Sequence, residues 1–91
     1  MKKLFELGQV VATPGALKAL EEAGQSPSEF LNRHATGDWG TINQADIGLN
    51  EFAIKEGARI LSVYHTTEAV KLWVITEADR SATTILLPED Y

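Results

Sequence analysis

Residues 57–87 have the sequence GARILSVYHTTEAVKLWVITEADRSATTILL, and this stretch decides the fold. Apolar and polar residues alternate along it with a period of two, and β-branched and aromatic residues are frequent, as is typical of half-buried β-strands. Three consecutive strands are predicted, at residues 60–64, 70–76 and 83–87. The links between them are short enough for hairpins, so we expect an antiparallel meander that ends at Pro88.

A short strand and a helix are predicted ahead of this stretch. Val10 and Val11 favour extended backbone over residues 7–12. Thr13 and Pro14 are residue types preferred at an N-cap and at the first helical position, and Gly24 can supply the left-handed stop. The apolar face of this helix is expected to hold Ala16, Leu17, Ala19, Leu20 and Ala23.

Two more helices are predicted between Gly24 and Gly57. Residues 26–29, Ser-Pro-Ser-Glu, form a capping-box sequence in which the Ser26 hydroxyl should bond the amide of Glu29. The helix that follows should end before residue 37. Asn43 can cap the third helix, which should end at Gly57 and turn one apolar face to the core. The members of that face are expected to be Ala45, Leu49, Phe52 and Ala53.

The expected architecture is one α+β domain over residues 1–91. An N-terminal strand and two to three helices pack on a C-terminal antiparallel sheet of three or more strands. The length suits one hydrophobic core, and 44% hydrophobic with 23% charged residues is the balance of a globular chain. Helices can cover only one face of the sheet, and we predict that Trp73 lies on the covered face. Trp39 should fill the junction between the helices and the sheet.

Composition excludes several classes of function. The chain has no cysteine, which rules out disulfides, thiolate catalysis and Cys-based zinc sites, and suits a reducing compartment such as the cytoplasm. The apolar residues near Lys2 and Lys3 are interrupted too soon for an export signal, and no run approaches the ~20 residues that span a bilayer. A net charge of -5 argues against a dedicated nucleic-acid-binding module and favours a basic partner.

Three stretches resemble a family of short uncharacterised proteins carried on bacterial plasmids and other mobile elements, often labelled plasmid-related proteins. These stretches are HATGDWG at residues 34–40, RILSVY at 59–64, and WVITEADRS at 73–81 with TTILLPEDY at 83–91. The resemblance covers nearly the whole chain. It implies an accessory role on a mobile element and gives no activity.

A looser resemblance is to the metal-independent ribonuclease fold of the barnase and RelE type, in which a helical histidine precedes a sheet that carries arginine and hydroxyl residues. The resemblance implies a catalytic set of His34, Arg80, Thr83 and Tyr64, supported by Ser62, Thr76 and Thr84. In such a set His34 would take a 2′-hydroxyl proton while Arg80 and the hydroxyls stabilise phosphorane charge. RNA would then be the substrate.

The same residues also have simpler interpretations. His34 can interact with the C-terminal dipole of its helix and bond a free carbonyl, and Asp38 can make an Asx turn. Residues 77–81 can be a solvated hairpin tip with a local pair between Arg80 and a carboxylate. If the polar residues instead serve binding, the candidates are Asp38, Trp39, Glu77, Asp79 and Arg80.

No cofactor or metal is expected. The chain has no Gly-rich phosphate loop and no Gly-x-Ser-x-Gly motif, and its two histidines, His34 and His65, lack ligand-spaced partners. The leading interpretation is a non-enzymatic module that binds a basic or nucleic-acid-handling protein. The alternative is a ribonuclease or an inactive relative of one. The oligomeric state is left open.

Overall fold

The computed structural model describes residues 2–91, and within them the α+β class predicted from the sequence is confirmed. Three helices lie between the first and second of four strands, and a 3-10 turn, Pro88–Asp90, follows the last strand. The strands are β1 (Gln9–Ala12), β2 (Ile60–His65), β3 (Lys71–Thr76) and β4 (Ala82–Leu86). The helices are α1 (Pro14–Ala23), α2 (Pro27–Ala35) and α3 (Gln44–Glu56). None of these helices is long and apolar enough to cross a membrane.

The sheet has the strand order β1-β4-β3-β2. Strands β2, β3 and β4 form the predicted antiparallel meander, in which Val63 faces Trp73 and Val74 faces Ile85. The meander is not the whole sheet, because the N-terminal strand β1 joins it in parallel beside β4, with Val10 next to Thr83. The three helices between β1 and β2 carry the chain from one edge of the sheet to the other, and so set the direction of β1 relative to the other strands. A four-residue apolar pattern carries no signal of strand direction.

The predicted caps of α1 and α3 are confirmed. Thr13 accepts a hydrogen bond from the amide of Ala16 (3.2 Å), and Asn43 accepts one from the amide of Asp46 (2.9 Å). Both helices end at a glycine in the left-handed region, Gly24 with φ 68° and Gly57 with φ 75°. Local sequence therefore determines where these helices begin and end.

The start of α2 differs in detail from the capping box that the sequence predicts. Ser26 Oγ accepts from the amide of Ser28 at 3.0 Å rather than from that of Glu29. The Glu29 carboxylate accepts from the side-chain amide of Gln25 at 2.9 Å, so it does not reach back to the cap. A capping hydroxyl can satisfy either the second or the third amide of a helix, and Gln25 competes for the carboxylate.

The main core lies where α1 and α2 cover one face of the sheet. Its fully buried members are Ala16, Leu20, Phe30, Tyr64, Leu72, Val74 and Ile85. The prediction that Trp73 lies on the covered face was wrong, since its partly exposed ring lies on the opposite face and meets Tyr91 edge to face at 5.7 Å. Alternation pairs Leu72 with Val74 and Trp73 with Ile75, but it does not say which pair the helices cover. Leu17 of α1 was also expected in the core and is 48% exposed.

A second apolar cluster joins the N-terminal segment to α3. It contains Phe5, Trp39, Ala53 and Ile60. The indole of Trp39 stacks on Phe5 with ring centroids 6.2 Å apart and is 7% exposed, which confirms its predicted place between helices and sheet.

The predicted orientation of α3 was wrong. Leu49 and Phe52 are 62% and 58% exposed, Ala45 is exposed, and of the expected face only Ala53 is buried. The buried side is instead centred on Asn50, whose amide donates to the carbonyl of Leu61 (2.7 Å) and accepts from its N–H (3.1 Å). Unpaired backbone groups at the β2 edge would be costly next to a helix, so this pairing fixes the rotation of α3.

Candidate functional site

Four side chains from α2 and three strands form a chain of hydrogen bonds inside the core. His34 Nδ1 lies 2.6 Å from Ser62 Oγ, and His34 Nε2 lies 2.9 Å from Thr76 Oγ1. Thr76 Oγ1 lies 2.7 Å from Thr83 Oγ1, which donates to the carbonyl of Leu7 at 2.7 Å. All four side chains are completely buried.

The last of these bonds fixes the direction of the others. Thr83 uses its only proton on the Leu7 carbonyl, so it accepts from Thr76. Thr76 has then used its own proton and must accept from His34 Nε2–H. In a neutral ring, Nδ1 is then unprotonated and accepts from the hydroxyl of Ser62. The geometry assigns His34 to the neutral Nε2–H tautomer.

Aromatic packing isolates this imidazole from solvent. The rings of Phe5 and Trp39 meet His34 edge to face, with centroids 5.2 Å and 6.0 Å away. Burial lowers the pKa of His34 to about 4, because the charged form would be stripped of water with no counter-ion beside it. The ring bonds hydroxyls, so the expected interaction with a carbonyl at the end of its helix was wrong. The ring has no surface exposed to solvent.

Arg80 is a structural link between the β3–β4 turn and the end of α3. Its Nη1 donates to the carbonyls of Ala58 (2.7 Å), Glu77 (3.1 Å) and Ala78 (3.1 Å), and its Nη2 donates to that of Ala53 (2.8 Å). Its backbone adopts φ 62°, a left-handed conformation unfavourable by ~1 kcal/mol for a residue with a side chain. Four hydrogen bonds from the guanidinium to backbone oxygens therefore hold the turn against the end of α3.

Tyr64 and Asp38 meet at the other end of the sheet. The Tyr64 hydroxyl donates to the backbone carbonyl of Asp38, and burial raises the pKa of this phenol to about 12. Arg33 donates to the Asp38 carboxylate at 2.7 Å, and this hydrogen bond lowers the pKa of Asp38. The predicted Asx turn is confirmed, since the amide of Gly40 donates to Asp38 Oδ1 at 3.2 Å.

The acidic residues of the β3–β4 turn have separate partners. Glu77 lies 3.5 Å from the guanidinium of Arg59, in an exposed pair. Asp79 Oδ1 accepts from the amide of Ser81 at 3.0 Å, and its hydrogen bonds to Ser81 lower the pKa of Asp79. The expected pair between Arg80 and a carboxylate is not formed.

The residues proposed from the sequence therefore do not assemble into one open site. His34 and Thr83 are brought together with Ser62 and Thr76, but inside the core. Tyr64 and Arg80 each bond backbone carbonyls elsewhere, and Trp39 is a core residue. Glu77 and Asp79 lie at the β3–β4 turn, away from Asp38.

The outer side of α3 is the surface that sequence reasoning missed. We name it the α3 face and define it by Ala45, Leu49 and Phe52, which lie at spacings of four and three and are all exposed. A groove of about 560 Å³ borders it, where the half-exposed Leu4 approaches the helix. The groove is lined by Leu4, Glu51, Phe52, Ile54 and Lys55.

One signal in the sequence could have revealed this face. Helix α3 has apolar residues on two sides, with Ile47 and Ile54 on one and Leu49 and Phe52 on the other. The core covers one of these sides and leaves the other in solvent, and a helix apolar on two sides is a sign of a second contact.

A larger groove, of about 740 Å³, lies beside the end of α2. Its polar lining includes Lys3, Arg33 and Asp38, whose charges are matched within the structure by Glu6 and by each other. Neither here nor elsewhere in residues 2–91 are three His, Asp or Glu side chains grouped so that they could hold a metal.

Comparison of the chain with protein-family models, with curated proteins and with solved structures found no match.

Proposed function

We propose that this protein is a non-enzymatic accessory protein of a mobile element, that it acts in the cytoplasm, and that it binds another macromolecule through the α3 face. The partner is a basic protein, for example one that handles nucleic acid. The observation that carries the proposal is the exposure of Leu49 and Phe52, at 62% and 58%, beside an apolar groove.

The apolar part of this surface has the form of a helix-face contact. Large apolar side chains that stand alone on a surface need no explanation. Here Leu4 and Phe52 line one groove, and Leu49 lies one helical turn before Phe52 on the same exposed side of α3. Neighbouring exposed apolar residues of this kind are typical of interaction sites. An aromatic anchor with an aliphatic neighbour commonly supplies most of the binding energy of such a contact.

The charges around the α3 face favour a basic partner. Asp46, Glu51 and Glu56 of α3 form no ion pair with any residue in the described range 2–91, and Lys55 is the one cation of the helix. The whole chain carries a net charge of -5. Carboxylates at the rim of an interface accelerate association with a cation-rich surface and repel acidic competitors.

The ribonuclease alternative finds no support in the geometry. Its proposed base, His34, is completely buried and bonded on both ring nitrogens, and its proposed anion-stabilising group, Arg80, donates to backbone carbonyls. A general base must reach the proton that it removes, directly or through one water. The resemblance to that fold remains one of element order and residue type.

The test compares two leucines that are both exposed on helices. The protein and its Leu49→Ser and Leu17→Ser variants are immobilised and exposed to lysate of the bacterium that carries the gene, and the bound proteins are identified by mass spectrometry. We expect a basic protein whose recovery falls at least about tenfold with Leu49→Ser, because an apolar anchor is lost, and changes less than about twofold with Leu17→Ser. Recovery should also fall when the salt concentration is raised from about 0.1 M to about 1 M, because the Debye screening length shortens from ~10 Å to ~3 Å.

Two results would contradict the proposal. One is equal recovery on the two variants, which would place the contact away from the α3 face. The other is a bound protein that is acidic or indifferent to salt, which would remove the charge argument. The unfolding transition of each variant, measured beforehand, shows that the comparison concerns folded protein.

A further inference from the structure

The two edge strands of the sheet, β1 and β2, differ in whether their outward backbone groups have hydrogen-bond partners. At the β2 edge, the outward backbone groups of Leu61 are bonded by Asn50, and those of Val63 are bonded by the backbone of Trp39 and Thr41. This edge therefore has its central N–H and C=O groups satisfied within the chain. At the β1 edge, no residue in the described range 2–91 makes an equivalent contact.

The free groups of β1 can be identified from its pairing with β4. Gln9 N–H donates to Ser81 and Thr13 N–H donates to Ile85, so the odd-numbered residues face β4. The backbone groups of Val10 and Ala12 consequently point away from the sheet. This row of outward backbone groups ends at Gly8, which leaves the extended conformation at φ 65°, and at Pro14, which has no N–H.

The free groups are symmetric about one residue. Val10 and Ala12 each offer one donor and one acceptor, and Val11 lies between them. If a second β1 runs antiparallel with a two-fold axis at Val11, then Val10 faces Ala12 of the other copy and all four groups of each strand are used. An axis at Val10 would instead pair Ala12 with Gly8, whose backbone is not extended.

We infer that the β1 edge binds the β1 edge of a second copy of this chain, antiparallel and centred on Val11, so that two four-stranded sheets join into one of eight strands. The inference is independent of the proposed function, since β1 and the α3 face are different surfaces.

Side chains and charge agree with this occupant. Residues 9–13 contain no charge, so two copies that each carry a net charge of -5 would meet along an uncharged strip. Val10 and Val11 are 42% and 41% exposed, and β1 has none of the lysines, bulges or internal prolines that commonly protect an edge. Val11 also shares a face with its neighbours across the sheet, so a pair of Val11 side chains would continue that row into the second copy. The row within one copy is Val11, Thr84, Ile75 and Leu61.

Disulfide trapping tests both the pairing and its register, because the chain has no cysteine of its own. In the inferred register the two Val11 residues form a non-hydrogen-bonded pair with Cα atoms ~4.5 Å apart, within the range that a disulfide spans. The two Val10 residues are diagonal neighbours roughly 7–8 Å apart, beyond that range. Val11→Cys should therefore form a covalent dimer under mild oxidation at least about ten times faster than Val10→Cys, although the two positions are equally exposed.

A second variant keeps the inference open to test if a cysteine disturbs the fold. Val10→Pro removes an outward donor and leaves the bonds between β1 and β4 in place, a position that edge strands tolerate. In sedimentation measurements up to about 1 mM, where even a weak contact is populated, the wild-type chain should dimerise and Val10→Pro should remain monomeric. Equal trapping of the two cysteine variants, or a wild-type chain that stays monomeric at that concentration, would overturn the inference.

Discussion

Replacing His34 with alanine is expected to lower the free energy of unfolding by about 4 kcal/mol, because a completely buried ring is lost and two buried hydroxyls lose a partner. The measurement is chemical denaturation at neutral pH. The control is His65→Ala, at an exposed histidine at the end of β2, where a change within about 0.5 kcal/mol is expected.

A loss below about 1 kcal/mol for His34→Ala would show that the hydrogen-bond chain is not part of the stable core. If the alanine variant does not fold, His34→Gln retains one donor and one acceptor. The His34→Gln variant should then fold, with a free energy of unfolding that is positive but lower than that of the wild type.

Replacing Arg80 with methionine is expected to cost about 3 kcal/mol, since hydrogen bonds from a charged group to four backbone carbonyls disappear while the aliphatic stem is kept. The control is Arg59→Met, which removes the same charge from an exposed pair with Glu77 and should cost less than about 1 kcal/mol. Arg80→Lys should recover little of the loss, because one ammonium group cannot reproduce the planar fork of donors. Equal losses at positions 59 and 80 would mean that the charge, and not the carbonyl bonds, sets the effect.

Local signals in the sequence predicted the local structure well. Thr13, Asn43, Gly24 and Gly57 are caps whose geometry depends on a few neighbouring residues, and all four act as predicted. The period of two beyond Gly57 likewise predicted β2, β3 and β4 to within a residue or two. These features rest on backbone conformation and on hydrogen bonds that span a short length of chain.

Features that depend on which surfaces meet were not predictable in the same way. Trp73 and Leu72 are equally suited to a core, and the choice between them follows from which side of the sheet α1 and α2 occupy. The rotation of α3 is decided by Asn50, a polar residue whose bond to the β2 edge outweighs the burial of Leu49 and Phe52. Hydrophobic periodicity takes no account of such a contact.

The candidate site shows the same division. The sequence identified His34, Thr83 and Thr76 as a related set, and the fold does bring them together. Residue type alone could not show that they lie inside the core, because a histidine among hydroxyls is compatible with a catalytic cleft and with a satisfied polar core.

Protonation of His34 links this network to stability. The pKa of His34 in the folded chain is about 4, below the value of ~6.5 for an unfolded chain, so the unfolded state binds the proton first as the pH falls. The corresponding stability is complete above about pH 6.5 and is lost progressively as the pH falls toward about 4. The contribution of His34 to the free energy of unfolding should not change between about pH 8 and about pH 7.

The central claim is that the chemistry-bearing residues are structural and that the protein acts through its surfaces. The most direct test is a ¹⁵N NMR titration of the His34 ring from about pH 8 to about pH 5. We predict the signals of a neutral ring protonated at Nε2, unchanged through that range, since the folded pKa is about 4 and both nitrogens are engaged in the core. A ring that titrates near ~6.5, or one protonated at Nδ1, would mean that His34 is open to solvent or differently bonded, and would contradict the account.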